Sequence, residues 1–292
     1  MIILASLKNQ AISSVKWTTL QTAIVGVTGP ILLIIKVRFL SPEEFGYLAV
    51  ILIVIGLLGL LESFGISQAI IQKDDINIQE SSSLFYFNIF LSFILVVLLY
   101  FAAPFLAKFF SLPYLESYLP VAGIIILFSG PSLLLRAFLQ KYLYFKYLSL
   151  IEISKNLIVL ASTTVFLVLD LGVIGVLFGQ ITGTVFSTIF ILIINLRLKL
   201  TAVSLYFNPA RLIPFLRFGI FVSGKQLMTF ATHRLDEVVI GYFLTPEVLG
   251  IYHFGKNMLE KIRVLMTNSF GGVLFPVLSK LKHDPPKLTM AY

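Results

Sequence analysis

The chain has 292 residues, 58% of them hydrophobic and 12% charged, with a mean hydropathy of +0.97 and a net charge of +8. A soluble globular domain carries about 25% charged residues, so this much apolar surface excludes a water-soluble fold and demands lipid as the solvent. The absence of cysteine excludes disulfide frameworks, thiolate metal sites and cysteine nucleophiles together.

The first segment, MIILASLKNQAISSVKW, lacks a basic stretch followed by an apolar run and a small-residue cleavage site. It reads as a short amphipathic lead-in rather than a signal peptide. A bilayer core takes roughly 20 apolar residues per helix. Eight stretches approach that length: Trp17–Val37, Phe45–Gly65, Leu84–Ala107, Tyr118–Leu135, Leu148–Leu169, Val173–Asn195, Ile213–Phe230 and Leu249–Phe270. Barrel strands would be short and alternating, so the fold class is all-α, a polytopic transmembrane helical bundle of about eight spans.

Pro30 in the first span deletes one helix hydrogen bond and predicts a bend, as a plain kink or as a gating feature. After it comes FLSPEEFG, Phe39–Gly46, which returns 204 residues further on as FLTPEVLG, Phe243–Gly250. Ser41 and Thr245 suit an N-cap, because their hydroxyls accept a backbone N–H that a new helix leaves unpaired. Pro42 and Pro246 then occupy the first helical position, where a missing N–H costs nothing. Glu43 and Glu247 put negative charge at the positive end of the helix dipole, and Glu44 completes a capping box where the second copy has Val248. Helix capping thus accounts for the motif without a ligand.

FGISQAIIQK from Phe64 is likewise answered by FGGVLFPVLSK from Phe270. Two segments in the same order and sense mean a parallel duplication with six spans per unit. The expected organisation is a six-helix lobe over residues 1–200 and, over 201–292, the first two helices of an incomplete parallel-repeat second lobe. Parallel repeats about an axis along the membrane normal are a carrier architecture.

Lys73-Asp74-Asp75 reads as a solvated turn. FLQKYLYFKY, Phe138–Tyr147, could pass for a nucleic-acid surface, but beside a span end it fits aromatic anchoring and lysine snorkelling at headgroups. Gly175, Gly179, Gly183 and Ser187 place small residues on one face of the sixth span, for close helix packing. Lys and Arg concentrate on the side of the N-terminus (Lys8, Lys16, Arg136, Lys141, Lys146, Arg197, Lys199, Arg211), which the positive-inside rule makes cytoplasmic.

The last two spans differ in kind. Lys225, Thr229, Thr232 and Asp236 recur at helical spacing, flanked by Gln226, His233, Arg234 and Glu237. His253, Lys256, Glu260, Arg263 and Thr267 follow at intervals of three and four, with Asn257 beside them. That spacing gives one helix face, and intramembrane charge faces a cavity or a partner. Two readings stay open. One is a cationic cavity suited to a phosphate-bearing substrate, with Gln21 and the Glu152, Lys155 and Asn156 group of the first lobe facing the same space. The other is internal pairing: Arg234 with Asp236 or Glu237, Lys256 with Glu260, and Glu152 with Lys155. Three histidines, no metal-spaced carboxylates and no glycine-rich phosphate loop give no sign of an enzyme, a metal site or a cofactor.

Lys16-Trp17 with Gln21, FLSPEEFGYLAV, AIIQK at Ala69–Lys73, APFLAKFFSLPYL at Ala103–Leu115, and LDEVVIGYFLTPEVLGIYHFGKNM with its trailing LFPVLSKL resemble the O-antigen and exopolysaccharide flippases of the multidrug/oligosaccharidyl-lipid/polysaccharide exporter superfamily. The likeness covers nearly the whole chain. It implies a multi-pass protein of the bacterial inner membrane, N-terminus cytoplasmic, moving an undecaprenyl-diphosphate-linked oligosaccharide by alternating access. It implies a proton or sodium as coupling ion, polymerase machinery as a partner, and no nucleic acid. By similarity Lys225, His233, Arg234, Asp236, His253, Lys256, Asn257, Glu260 and Arg263, with Gln21, are the substrate-binding candidates. Members complete the second lobe, so the chain ends about four spans short of the pattern. The alternatives are a cation-coupled drug exporter of the same fold and a non-transporting fragment.

Overall fold

The structure, a computed structural model, describes residues 2–201, 204–260 and 263. Its regular elements are helices: α1 (Ile2–Phe39), α2 (Pro42–Ser63), α3 (Ile66–Gln72), α4 (Ile78–Phe109), α5 (Leu115–Lys141), α6 (Phe145–Val168), α7 (Gly172–Leu198), a 3₁₀ turn (Pro209–Arg211), α8 (Ile213–Phe243) and α9 (residues 246–260). Among the described residues, six helical segments are long and apolar enough to cross a membrane: Ser13–Phe39, Pro42–Gln72, Ile78–Phe109, Leu115–Lys141, Phe145–Val168 and Gly172–Leu198. The protein is a multi-pass helical membrane protein.

As far as the described residues reach, each predicted span falls on a helix, with informative differences. The lead-in is continuous with the first span in α1, and α1 runs through Pro30. The second crossing segment is split, because Phe64 and Gly65 both adopt left-handed backbone, φ 37° and 62°. Only glycine takes the second of these without strain, and a side chain there would also sit 2.7 Å from the Cα of Gly219 on α8. α8 has the length of a span, 31 residues, but Arg217, Lys225, Arg234, Asp236 and Glu237 lie along it. The remainder of the eighth predicted span, with Thr267, FGGVLFPVLSK and the basic tail, lies outside the described residues.

Local chemistry starts these helices as expected. Ser41 Oγ accepts the Glu44 N–H at 3.2 Å while Glu44 Oε2 accepts the Ser41 N–H at 2.8 Å, the reciprocal pair of a capping box. α9 begins directly after Thr245, whose carbonyl takes the first helical bond, from Leu249. A second capping box, Asn77 with Glu80, starts α4, and Glu80 also binds Lys73 at 2.7 Å, so the predicted solvated turn is pinned by an ion pair.

In a bilayer, helices associate by close packing rather than by escape from water. α4 with α5 and α6 with α7 form the tightest pairs. α1 lies on α6, α5 joins the two pairs through α7, and α2 bridges α5 to α8. The glycine stripe makes the α6–α7 contact: Gly175, Gly179, Gly183 and Ser187 are buried, and a Cβ on Gly179 would lie 2.9 Å from the Cα of Thr163. At the end of α5, Lys141 Nζ donates to the carbonyls of Ile70 and Lys73, neutralising the C-terminal end of α3. Lys146 sits 5.5 Å over the Trp17 ring, consistent with an interfacial role for FLQKYLYFKY.

Candidate functional site

Polar side chains of α8 and α9 meet near the end of α8. Glu237 is fully buried and binds three groups. Its Oε1 accepts from Arg234 at 2.7 Å and from Lys256 Nζ at 3.0 Å, and its Oε2 lies 2.8 Å from His253 Nδ1. Asp236 takes the other side of Lys256, at 2.8 and 2.7 Å, and accepts the Tyr252 hydroxyl at 2.5 Å. The His233 carbonyl also accepts from Lys256, at 2.5 Å. His253 is buried, and Asn257 Nδ2 lies 2.8 Å from its Nε2 while donating to its carbonyl at 2.9 Å. A donor at Nε2 leaves the ring proton on Nδ1, where it can be given to Glu237.

The structure therefore unites Arg234, Asp236, His253, Lys256 and Asn257, five of the ten predicted residues, around Glu237. Two carboxylates and two bases neutralise one another there. The pairing differs in detail from the expected one: Lys256 reaches across to α8 instead of along its own helix to Glu260. The same holds between α5 and α6, where Arg136 takes Glu152 as its ion-pair partner and Asn156 bonds the Glu152 carbonyl at 2.8 Å.

Lys256, Glu260 and Arg263, with Ile251, Tyr252, Gly255 and Leu259, line an open groove of about 600 Å³ along α9. Arg263 is exposed, and so are Lys225 and His233 on α8. Gln21, half-buried, belongs to α1, whose packing partner is α6. Among the described residues of α8 and α9, Arg217, Lys225 and Arg263 form no ion pair, and Lys225 stands about 16 Å along α8 from Asp236 of the neutralised cluster.

Sequence reasoning missed Glu62. It is 2% exposed in α2, amid the apolar run VILIVIGLLGLLES. Its partners are hydroxyls: Ser92 Oγ of α4 is 2.7 Å from Oε1 and Ser129 Oγ of α5 is 2.7 Å from Oε2. Each hydroxyl also lies within bonding distance of its own helix carbonyl, Asn88 O at 2.8 Å and Ile126 O at 3.0 Å. A hydroxyl has one proton. Pointed at the carboxylate, both satisfy an ionised Glu62; turned to its carbonyl, either one can accept a hydrogen bond from the protonated acid. One turn before Ser92, the buried Asn88 Oδ1 has no donor among the described residues. The signal available in the sequence was a lone acid inside an apolar span.

The described residues thus define an α-helical multi-pass membrane bundle with charge gathered between two of its helices. Residues 35–292 match the polysaccharide biosynthesis protein family, and the chain belongs to that family. It is 25% identical over 291 residues to the lipopolysaccharide biosynthesis protein WzxC of Escherichia coli (strain K12), covering 98% of this chain and 58% of that protein. It is 25% identical over 283 residues to the teichuronic acid biosynthesis protein TuaB of Bacillus subtilis (strain 168), covering 96% and 57%. With the succinoglycan biosynthesis transport protein ExoT of Rhizobium meliloti (strain 1021) it shares 25% over 274 residues, covering 91% and 52%. The chain spans somewhat over half the length of these relatives.

Proposed function

We propose that this chain belongs to a carrier that moves an undecaprenyl-diphosphate-linked oligosaccharide across the bacterial inner membrane by alternating access. Residues 1–200 form the first lobe and 201–292 begin a second, like-oriented one, with the N-terminus in the cytoplasm. The observation carrying this reading is the concentration of charge on α8 and α9 in an otherwise apolar chain of the polysaccharide biosynthesis family. Charge inside a bilayer is costly and marks a pathway or a pair, and here only part of it is paired. Lys225 and Arg263, without an ion-pair partner among the described residues, are the groups to meet a diphosphate, while Asp236 and Glu237 hold Lys256, Arg234 and His253 in place on the same two helices. Glu62 supplies a carboxyl that can take up a coupling proton or sodium ion, with Ser92 and Ser129 adapting to either charge state.

Deleting the gene should leave lipid-linked repeat units on the cytoplasmic leaflet and the cell surface without its polysaccharide. Complementation with Lys256→Glu or Arg263→Glu should fail although the protein is inserted. Normal surface polysaccharide in the deletion strain refutes the reading, and drug sensitivity with unchanged glycan would replace it with drug export. Wild-type export by both reversals would remove these bases from the pathway.

A further inference from the structure

The connection from α7 to α8 is patterned inversely to a loop in water. It leaves α7 over Lys199, whose backbone is left-handed at φ 50°, and Asn195 on the last turn of α7 holds its start, accepting the Thr201 N–H at 3.3 Å. Further along it is tied to α4. Ser204 N–H donates to Ser82 Oγ at 2.9 Å, Asn208 N–H donates to Ser83 Oγ at 3.1 Å, and both α4 serines are fully buried. Leu212 and Phe215 then fix the far end in an apolar core with Ile70, Leu84 and Phe138. Between these anchors the polar side chains turn inward and the apolar ones outward. Tyr206 and Asn208 are half-buried, and Asn208 Nδ2 donates to the Tyr206 hydroxyl at 3.2 Å, whereas Leu205 is 98% exposed and Phe207 53%.

We infer that this connection is an interfacial strap that binds the anionic phospholipids of the leaflet on its side of the membrane. Two observations select a lipid surface as the partner. The first is depth. Ser82 and Ser83 stand immediately before Leu84, where the apolar run of α4 begins, so their bonds hold the strap at the boundary between headgroups and hydrocarbon. That boundary is where apolar side chains of an interfacial segment are taken up. The second is charge. Between Asp170 and Asp236 the sequence has no acid. The strap and its two helix ends carry Arg197, Lys199, Arg211 and Arg217, all exposed. Of the acids on the neighbouring turn, Glu80 is held by Lys73, which leaves Asp74 and Asp75 against those four bases. A cluster of bases beside a span end attracts anionic headgroups. A lone exposed leucine carries no such meaning; here it comes with a fixed backbone, an inward–outward alternation and uniform charge. Positive charge on this face also orients the chain at insertion, but that rule requires neither outward apolar side chains nor bonds to α4.

The inference is independent of what the protein carries. The test uses the protein as its gene encodes it, with Trp17 and any other tryptophan replaced by phenylalanine and one tryptophan introduced, at Leu205→Trp or at Phe207→Trp. Each variant is reconstituted in vesicles of equal phosphatidylcholine and phosphatidylglycerol, with bromine on the acyl chains of one lipid or the other. The fluorescence of both variants should be quenched, and at least about twofold more by brominated phosphatidylglycerol. Phe101→Trp, at a site 72% exposed within α4, should be quenched equally by the two lipids. Adding Lys199→Gln with Arg211→Gln should diminish the preference at position 205 while quenching persists. Tryptophans at 205 and 207 that bromine leaves unquenched, whether bathed in water or covered by protein, overturn the inference. Equal quenching by the two lipids with the bases intact overturns it as well, as does a preference undiminished by the double replacement.

Discussion

The sharpest consequence of the α8–α9 cluster is a contrast between two adjacent acids. Glu237 is 0% exposed and holds three partners within 3.0 Å, whereas the Asp236 side chain is 36% exposed and shares Lys256 with it. Unit charges about 3 Å apart attract by roughly 5 kcal/mol at an effective dielectric near 20, most of it offset by desolvation. Removing one member of a buried pair still costs about 3–5 kcal/mol, because the other is left uncompensated. An exposed pair is worth about 0–1 kcal/mol. Glu237→Gln keeps one acceptor oxygen, so its cost should fall near the lower bound, about 3 kcal/mol. Asp236→Asn should cost less than about 1 kcal/mol. The measurement is the unfolding midpoint of purified protein in mild detergent on titration with a denaturing detergent, wild type beside both variants. Equal destabilisation by the two substitutions, or a Glu237→Gln protein as stable as wild type, would refute the assignment of Glu237 as the centre of the cluster.

Gly179→Ala forces a methyl against Thr163, a β-branched side chain with little freedom to move. It should cost about 1–3 kcal/mol, while Gly59→Ala, with nothing within 4 Å, should be neutral or slightly stabilising; a neutral Gly179→Ala in the same unfolding assay would deny the close α6–α7 approach. Glu62→Gln preserves shape and can still bond Ser92 and Ser129, so stability should change by less than about 1 kcal/mol. Its effect should appear instead in ion-driven export from vesicles, which should lose its dependence on the proton or sodium gradient; unaltered gradient dependence would remove Glu62 from coupling.

Much of the helical framework was legible because it depends on nearest neighbours along the chain. Ser41, Pro42 and Glu44 carry a capping box in their spacing, and the apolar runs are long enough to cross a bilayer whatever surrounds them. The break at Phe64–Gly65 was less so. The predicted span ends at Gly65, but nothing local shows that a short helix follows at once or that Gly219, more than 150 residues away, packs against the break. The Glu62 site was hidden for the same reason. Glu62 looked like the end of an apolar span until α4 and α5 brought Ser92 and Ser129 onto its two oxygens.

By itself the sequence determined that this is an α-helical membrane protein, that one octapeptide pattern recurs 204 residues on, and which faces of the last two helices are charged. Those properties follow from hydrophobic run length, local hydrogen bonding and helical period, all functions of short stretches. Only the tertiary structure decided which charge meets which: Lys256 with Asp236 and Glu237 rather than Glu260, Glu152 with Arg136 rather than Lys155. It also decided that the two octapeptides face each other, Gly46 against Pro246 and Gly250 against Pro42. Periodicity assigns a side chain to a face of its helix, but a pair forms across helices, and which faces meet is settled by how closely the backbones can approach, glycine against proline and glycine against glycine.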